Sequence, residues 1–358
     1  MSSVLQNNKR IAKPDAKSTR LDGLDFARFV AFVGMVLVNF HIVLAPTAEG
    51  GISSIFEGKA AASFVVLAGL GLGLAAKQMD MRRIVPLTIM RALFLLVIGL
   101  ANTLIFDADI LHYYAFYFLV CALLFRSRTT VLFTAIFAIN VLYVGLMLVL
   151  DYDAGWDWAT YTYTDFWTVE GFFRNLLFNG WHPLLPWSSF MLIGFWLARI
   201  RLFKIRVQNR LIIIGGGLII VAEIISAALS YPLALVAPEL LDMAKTSPIP
   251  PGPLYIVSGI GAACLLTGLC LRFSQILTRA GLIAFFAPAG RMTLTLYIAH
   301  IYIGMGLMEE LGLIGVGTGD QAVTWSISFC AAAAIGAFLW SRRFKRGPLE
   351  SLMRKISG

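Results

Sequence analysis

Ten apolar stretches of about twenty residues follow one another, at 27–46, 60–76, 84–106, 109–126, 130–150, 181–199, 211–230, 253–272, 288–308 and 322–341. An α-helix rises about 1.5 Å per residue, so each run is long enough, or nearly so, to cross about 30 Å of hydrocarbon. Inside lipid every backbone N–H and C=O needs an internal partner, so the runs predict an all-α membrane bundle of about ten spans. With 59% hydrophobic and 14% charged residues and a mean hydropathy of +0.80, the chain has more apolar surface than a water-soluble fold could hide. The runs at 60–76 and 109–126 are short, which points to packing inside the bundle or to lining a cavity.

The placement of charge sets the expected orientation. Lysines and arginines gather in alternate connections, at 9–20, 77–83, 126–128, 199–210, 272–279 and 342–355. The intervening connections carry acids, from Glu49, Glu57, Asp107 and Asp109 to Asp151, Glu170, Glu239, Asp242, Glu309 and Asp320, and only Lys59, Arg174 and Lys245 break the pattern. The positive-inside rule then puts both termini in the cytoplasm. A basic tail at 1–22, a bundle at 23–343 and a second basic tail at 344–358 follow. The net charge of +9 therefore reads as topology, with the lipid bilayer as partner and no nucleic acid. Self-association into a homo-oligomer is compatible with the sequence. The long first run, preceded by Asp22 and Asp25, predicts a retained helix and no cleaved signal peptide.

Several features read as packing. Cys121, Cys264, Cys270 and Cys330 lie in apolar runs without disulfide or metal-ligand spacing, so no metal is expected. The string AGLGLGLAA around Gly69, Gly71 and Gly73 follows no strand and reads as small residues at a helix–helix contact, as does Gly215 to Gly217. The connection at 151–180 is rich in Trp, Tyr and Asp and suits the mouth of a polar ligand site. The one at 231–252 holds several prolines and reads as a stiff connector.

Ionisable side chains inside a bundle are costly and mark function. His41, His112 and His182 fall in the outer half of the expected spans and His300 near mid-membrane. Histidine has the pKa range to take a proton from a hydroxyl or amine and return it; each could equally be hydrogen-bonded at the interface. Arg28, Arg91 and Arg291 form an opposite, cytoplasmic layer, suited to clamping phosphates, to snorkelling, or to pairing with Asp22 and Asp25. Glu223 is the one carboxylate deep in a run, and is given no role. A cytoplasmic arginine layer and an outer histidine layer suit transfer of an acyl group across the membrane.

The opening LDGLDFARFVAFVGMVLVNFH resembles the first-helix signature LDxxRGxAxxxxxxxVN of bacterial YeiB-type membrane proteins and of heparan-alpha-glucosaminide N-acetyltransferase relatives. FEGKAAASFVVLAGLGLGL, RALFLLVIGLANTLIFDADILHYYAFYFL, HPLLPWSSFMLIGFWLAR and AGRMTLTLYIAH are similar to later segments of that group, in the same order. The resemblance implies a multi-pass protein of the bacterial cytoplasmic membrane within the transmembrane acyltransferase superfamily. It implies transfer of an acyl, most simply acetyl, group from cytosolic acyl-CoA to a sugar or glycan outside. By position Arg28, Asn39, Asp109, Gly290 and Arg291 match the group's motif residues. The position eleven residues after Arg28 is Asn39; His41 lies about 200° further round the helix.

The expected roles are a catalytic base from His41 first, then His112 or His182, with Asp109 orienting the imidazole and Asn39 holding the oxyanion. Arg28, Arg91 and Arg291 are the expected acyl-CoA ligands; His300 and Trp181 are candidates to hold the acceptor. A transporter of a small anion or lipid-linked sugar, and a catalytically silent scaffold, are the competing readings.

Overall fold

The computed structural model describes residues 16–46, 48 and 51–358, with side chains from Asp22 onward except that of Glu239. Residues 1–15 of the expected tail at 1–22, and Glu49, lie outside the described residues, and 16–22 already belong to the first helix. The helices are α1 (Ala16–Leu44), α2 (Gly51–Phe56), α3 (Lys59–Ala76), α4 (Met81–Asn102), α5 (Leu111–Leu123), α6 (Thr129–Met147), α7 (Val169–Arg174), α8 (Leu184–Leu197), α9 (Ile205–Val236), α10 (Pro253–Arg279), α11 (Leu282–Arg291), α12 (Thr293–Ala299), α13 (Gly306–Glu310), α14 (Gly319–Ser341) and α15 (Pro348–Ser357). A two-stranded hairpin, β1 (Trp156–Asp157) and β2 (Thr162–Tyr163), sits in the long aromatic connection. Seven membrane-length apolar helices are present among the described residues, counting 51–76 as one, or eight if a bent pair is one span. The shorter apolar α5 and α8 stand beside them. The protein is an all-α membrane bundle.

The centre is built from α1, α3 and α10, while α6 and α9 bury little and turn apolar side chains such as Ile213, Ile220 and Ile224 outward, as lipid-facing helices do. Glycines set the closest crossings. A Cβ on Gly69 would overlap the Met191 carbonyl on α8, and one on Gly194 would overlap the Val66 carbonyl on α3. The glycine-rich string is thus a packing seam. Gly215 makes the same kind of approach to Gly261 and Leu265, but Gly216 and Gly217 face open space, so only the first of that trio is explained by packing.

Three expectations are corrected. The run at 288–308 is not one helix: α11 meets the stretch Thr293–Glu310 at 73°. Met292 leaves helical geometry there, and the Glu350 carboxylate accepts hydrogen bonds from the backbone N–H of Leu294 (2.8 Å) and Thr295 (3.0 Å). A side chain inserted in the helical ladder in this way bends it. The segment at 344–358 is no free tail, because α15 folds back onto α4 and α12. Glu223 is not buried: its side chain is 46% exposed, and it pairs with Lys59 at 3.3 Å and accepts from Thr246.

Candidate functional site

Two cavities stand end to end in the bundle. The first, about 610 Å³, collects the arginines. Asp25 and Arg28 are one turn apart on α1 and pair at 2.5 Å. Gly290 brings α11 so near α1 that a Cβ there would overlap the Asp25 carbonyl, and the next residue, Arg291, reaches Asp22 (3.5 Å) and Asp25 (3.8 Å). Arg28 and Arg291 therefore both line the cavity and pair with the aspartates. Arg91 enters from α4, and its Nε has no hydrogen-bond partner among the described residues. Lys345, Arg346 and Arg354 also line the cavity, cations that the sequence placed in a tail.

The second cavity, about 480 Å³, is lined by Asn39, Trp181 and His182, with Glu57 and Asp107 among its acids. Partial burial raises the Asp107 carboxyl above its ordinary range. Tyr161 and Trp181 line it as roughly stacked rings, backed by Trp156 set edge-on to Trp181. Tyr161 is the one non-glycine residue with positive φ (56°) among those described, an uncommon conformation for a large side chain. His182 is fixed through its carbonyl, which accepts from the Tyr117 hydroxyl at 2.5 Å, and its ring packs edge-on to Trp187. Trp181 Nε1, His182 Nδ1 and Trp187 Nε1 are buried polar atoms without partners among the described residues, the pattern expected where a polar ligand completes the set.

His300 and His112 sit behind this wall. The His300 Nδ1 hydrogen goes to the Tyr297 carbonyl, which can only accept, so Nε2 is the bare nitrogen and takes a hydrogen bond from Asn39 Nδ2 at 3.1 Å. One amide hydrogen of Asn39 is thereby committed, and the other remains for the cavity. His112 is buried, with Nδ1 3.3 Å from Asp109 Oδ2 and Nε2 without a partner among the described residues. Asp109 is fully enclosed: Asn102 Nδ2 (2.7 Å) and the Tyr297 hydroxyl (3.2 Å) donate to one oxygen, and the Leu111 N–H (2.7 Å) donates to the other at the start of α5. His41 shares neither cavity; its Nε2 is 3.3 Å from the Ala48 carbonyl, as the 200° turn from Asn39 requires. Of the four histidines, His182 is the one that lines either of these two cavities. Among the described residues no three His, Cys, Asp or Glu side chains gather into a metal site.

Between the cavities the wall is thin. Ile110 and Tyr297 line both. The Tyr297 hydroxyl accepts from the Ile110 N–H (3.2 Å) while donating to Asp109, so one hydrogen-bonded unit from α12 and the start of α5 separates the arginines from Asn39. Sequence reading missed Tyr297 and Asn102. The available signal was polarity within an apolar run, shared with many packing residues.

The "Uncharacterized protein YeiB" of Escherichia coli (strain K12) is 26% identical over 382 residues, covering 93% of this chain and 95% of its own length. A family described as a protein of unknown function (DUF418) matches residues 187–358. Residues 20–227 match the family described as heparan-alpha-glucosaminide N-acetyltransferase, catalytic. That match holds most of α1, Asp109 and His182, more than half of the sequence, and the chain therefore belongs to this membrane acetyltransferase family.

Proposed function

We propose that the protein moves an acetyl group from cytosolic acetyl-CoA, bound in the arginine cavity, to a sugar hydroxyl or amine held in the aromatic cavity on the outer side. The observation that carries this reading is the pair of unlike cavities meeting at a wall made by Ile110 and Tyr297. In this orientation the bundle makes ten crossings in a bacterial cytoplasmic membrane, with both termini inside. Arginines 28, 91 and 291 suit the donor's phosphates, because guanidinium forks match phosphate oxygens. The Tyr161–Trp181 platform suits the apolar face of a sugar ring, with Trp181 Nε1 left to donate to its hydroxyls.

His182 is the base: it takes the acceptor's proton as the acceptor oxygen or nitrogen attacks the thioester carbonyl. The free Asn39 amide hydrogen faces the oxygen on which charge builds. Collapse of the adduct breaks the carbon–sulfur bond, and the thiolate leaves with the proton that His182 gives back. His112, held by Asp109, and His300, held by Tyr297, position the wall.

Labelled acetyl-CoA supplied to the cytosolic face of sealed proteoliposomes, with a glycan acceptor on the other side, tests the reading. Label is expected on the acceptor, and His182→Ala is expected to lower the rate about 10²–10⁴-fold, the usual contribution of a general base. Acceptor flux without any acyl donor, and no label transfer, would instead support the transporter reading, which the same two opposed cavities suit.

A further inference from the structure

The segment after α14 is tied across the mouth of the arginine cavity. Glu350 accepts from Leu294 N, Thr295 N and the Thr295 hydroxyl (2.6 Å), and the Leu349 N–H donates to that hydroxyl at 3.1 Å. Trp340 Nε1 holds the turn through the Arg346 carbonyl at 2.8 Å. A Cβ on Gly347 would overlap Glu350 Oε2 and crowd Thr295 Oγ1, so glycine is what lets the turn close. The clamp is built from the groups that the break between α11 and α12 leaves free.

What the clamp carries is basic. Lys345, Arg346 and Arg354 are exposed and line the cavity, and Glu350, the one acid from 345 to 358, is already spent on Thr295. Arg354 comes near enough to Arg91 on α4 for their like charges to act on each other, and neither has a salt-bridge carboxylate among the described residues. Holding guanidinium groups together costs free energy unless an anion lies between them. Arg28 and Arg291 are already shared with Asp25, so the cavity's uncompensated charge is concentrated on Arg91 and the clamp.

We infer that Lys345, Arg346 and Arg354, with Arg91, form a phosphate-binding clamp for the nucleotide end of the acyl donor, leaving its thioester arm to run inward toward Tyr297. The inference rests on the acyl-CoA reading above. Charges converging on a concave mouth from α4 and from the clamp favour a compact polyphosphorylated nucleotide over the flat array of a lipid surface. A phosphomonoester brings about −1.5 to −2 charges, so a nucleotide with a monoester and a diphosphate matches several arginines at once.

Titration of the purified full chain in detergent with coenzyme A and with adenosine 3′,5′-bisphosphate tests this. Combined Lys345→Ala, Arg346→Ala and Arg354→Ala substitution is expected to weaken both ligands about tenfold or more; these side chains are exposed, so the bundle should still fold. Gly347→Val, which opens the turn while keeping every cation, should weaken both in the same direction. Wild-type affinity in the triple variant overturns the clamp and leaves the donor reading standing, as does a triple variant that loses only retention on phosphatidylglycerol nanodiscs. A wild type that binds neither nucleotide overturns both. Nucleotide binding lost in the triple variant, with no acetyl transfer by the wild type, supports the clamp and sinks the transfer reading.

Discussion

Asn39 donates one amide hydrogen to His300 Nε2, and the hydrogen that remains is the one able to meet a developing oxyanion. Removing the side chain takes away both. Leaving the fully buried His300 nitrogen without a donor costs about 1–3 kcal/mol, and losing an oxyanion donor costs about 10²–10³ in turnover. Asn39→Ala is therefore expected to lower the unfolding temperature in detergent and to cut kcat for acetyl transfer by that factor, with KM little changed. His41→Ala, off both cavities, should keep transfer within a few-fold; loss of activity there would return His41 to the mechanism. The pairing of Arg28 with Asn39 was reached only through the family motif, although eleven residues do bring a helix back to within about 20° of the same face. The hold of His300 on Asn39 was not legible, since it joins residues 261 apart and hydropathy carries no information on such a contact.

Helices were legible where their physics is local. Hydropathy placed α4, α6 and α14 to within a few residues, because each must satisfy its own backbone and present apolar side chains, and it found α9 and α10 but cut α9 short at both ends and α10 at its C-terminal end. It passed straight over the break at Met292, because the group that stabilises that break, Glu350, stands more than fifty residues away. The close crossing of α11 on α1 was likewise hidden, as a glycine that touches a backbone and one that touches nothing look alike in sequence. Gly290 and Gly217 separate the two cases. Gly290→Ala drives a methyl into the Asp25 carbonyl, an overpacking worth about 1–3 kcal/mol, and should displace Arg291 and weaken coenzyme A binding. Gly217→Ala meets open space and removes a flexible residue from a helix, so it should be neutral or stabilise by about 0.5–1 kcal/mol. Thermal unfolding of the two variants in one detergent compares them; equal behaviour would mean that the α1–α11 contact does not govern the arginine cavity.

Across the whole molecule, charge asymmetry and cavity chemistry point the same way. Each basic residue that broke the alternating pattern sits on a carboxylate: Lys59 on Glu223, Arg174 on Asp165 and Glu170, Lys245 on Asp242. As neutralised pairs they leave the aromatic end without a basic surface, while the arginine end keeps Lys345, Arg346 and Arg354 exposed. A segment rich in lysine and arginine is the one retained on the cytoplasmic side. The four native cysteines are all buried, which gives a low background for thiol labelling of the protein as it stands. Lys345→Cys and Trp167→Cys place single exposed thiols at the two ends, the second in the aromatic connection where Trp167 is 64% exposed. A membrane-impermeant maleimide added to intact cells should label Trp167→Cys and spare Lys345→Cys, and inverted vesicles should reverse the result. The opposite pattern would put the arginine cavity outside, where cytosolic acyl-CoA cannot reach it, and the donor assignment would fail with the topology.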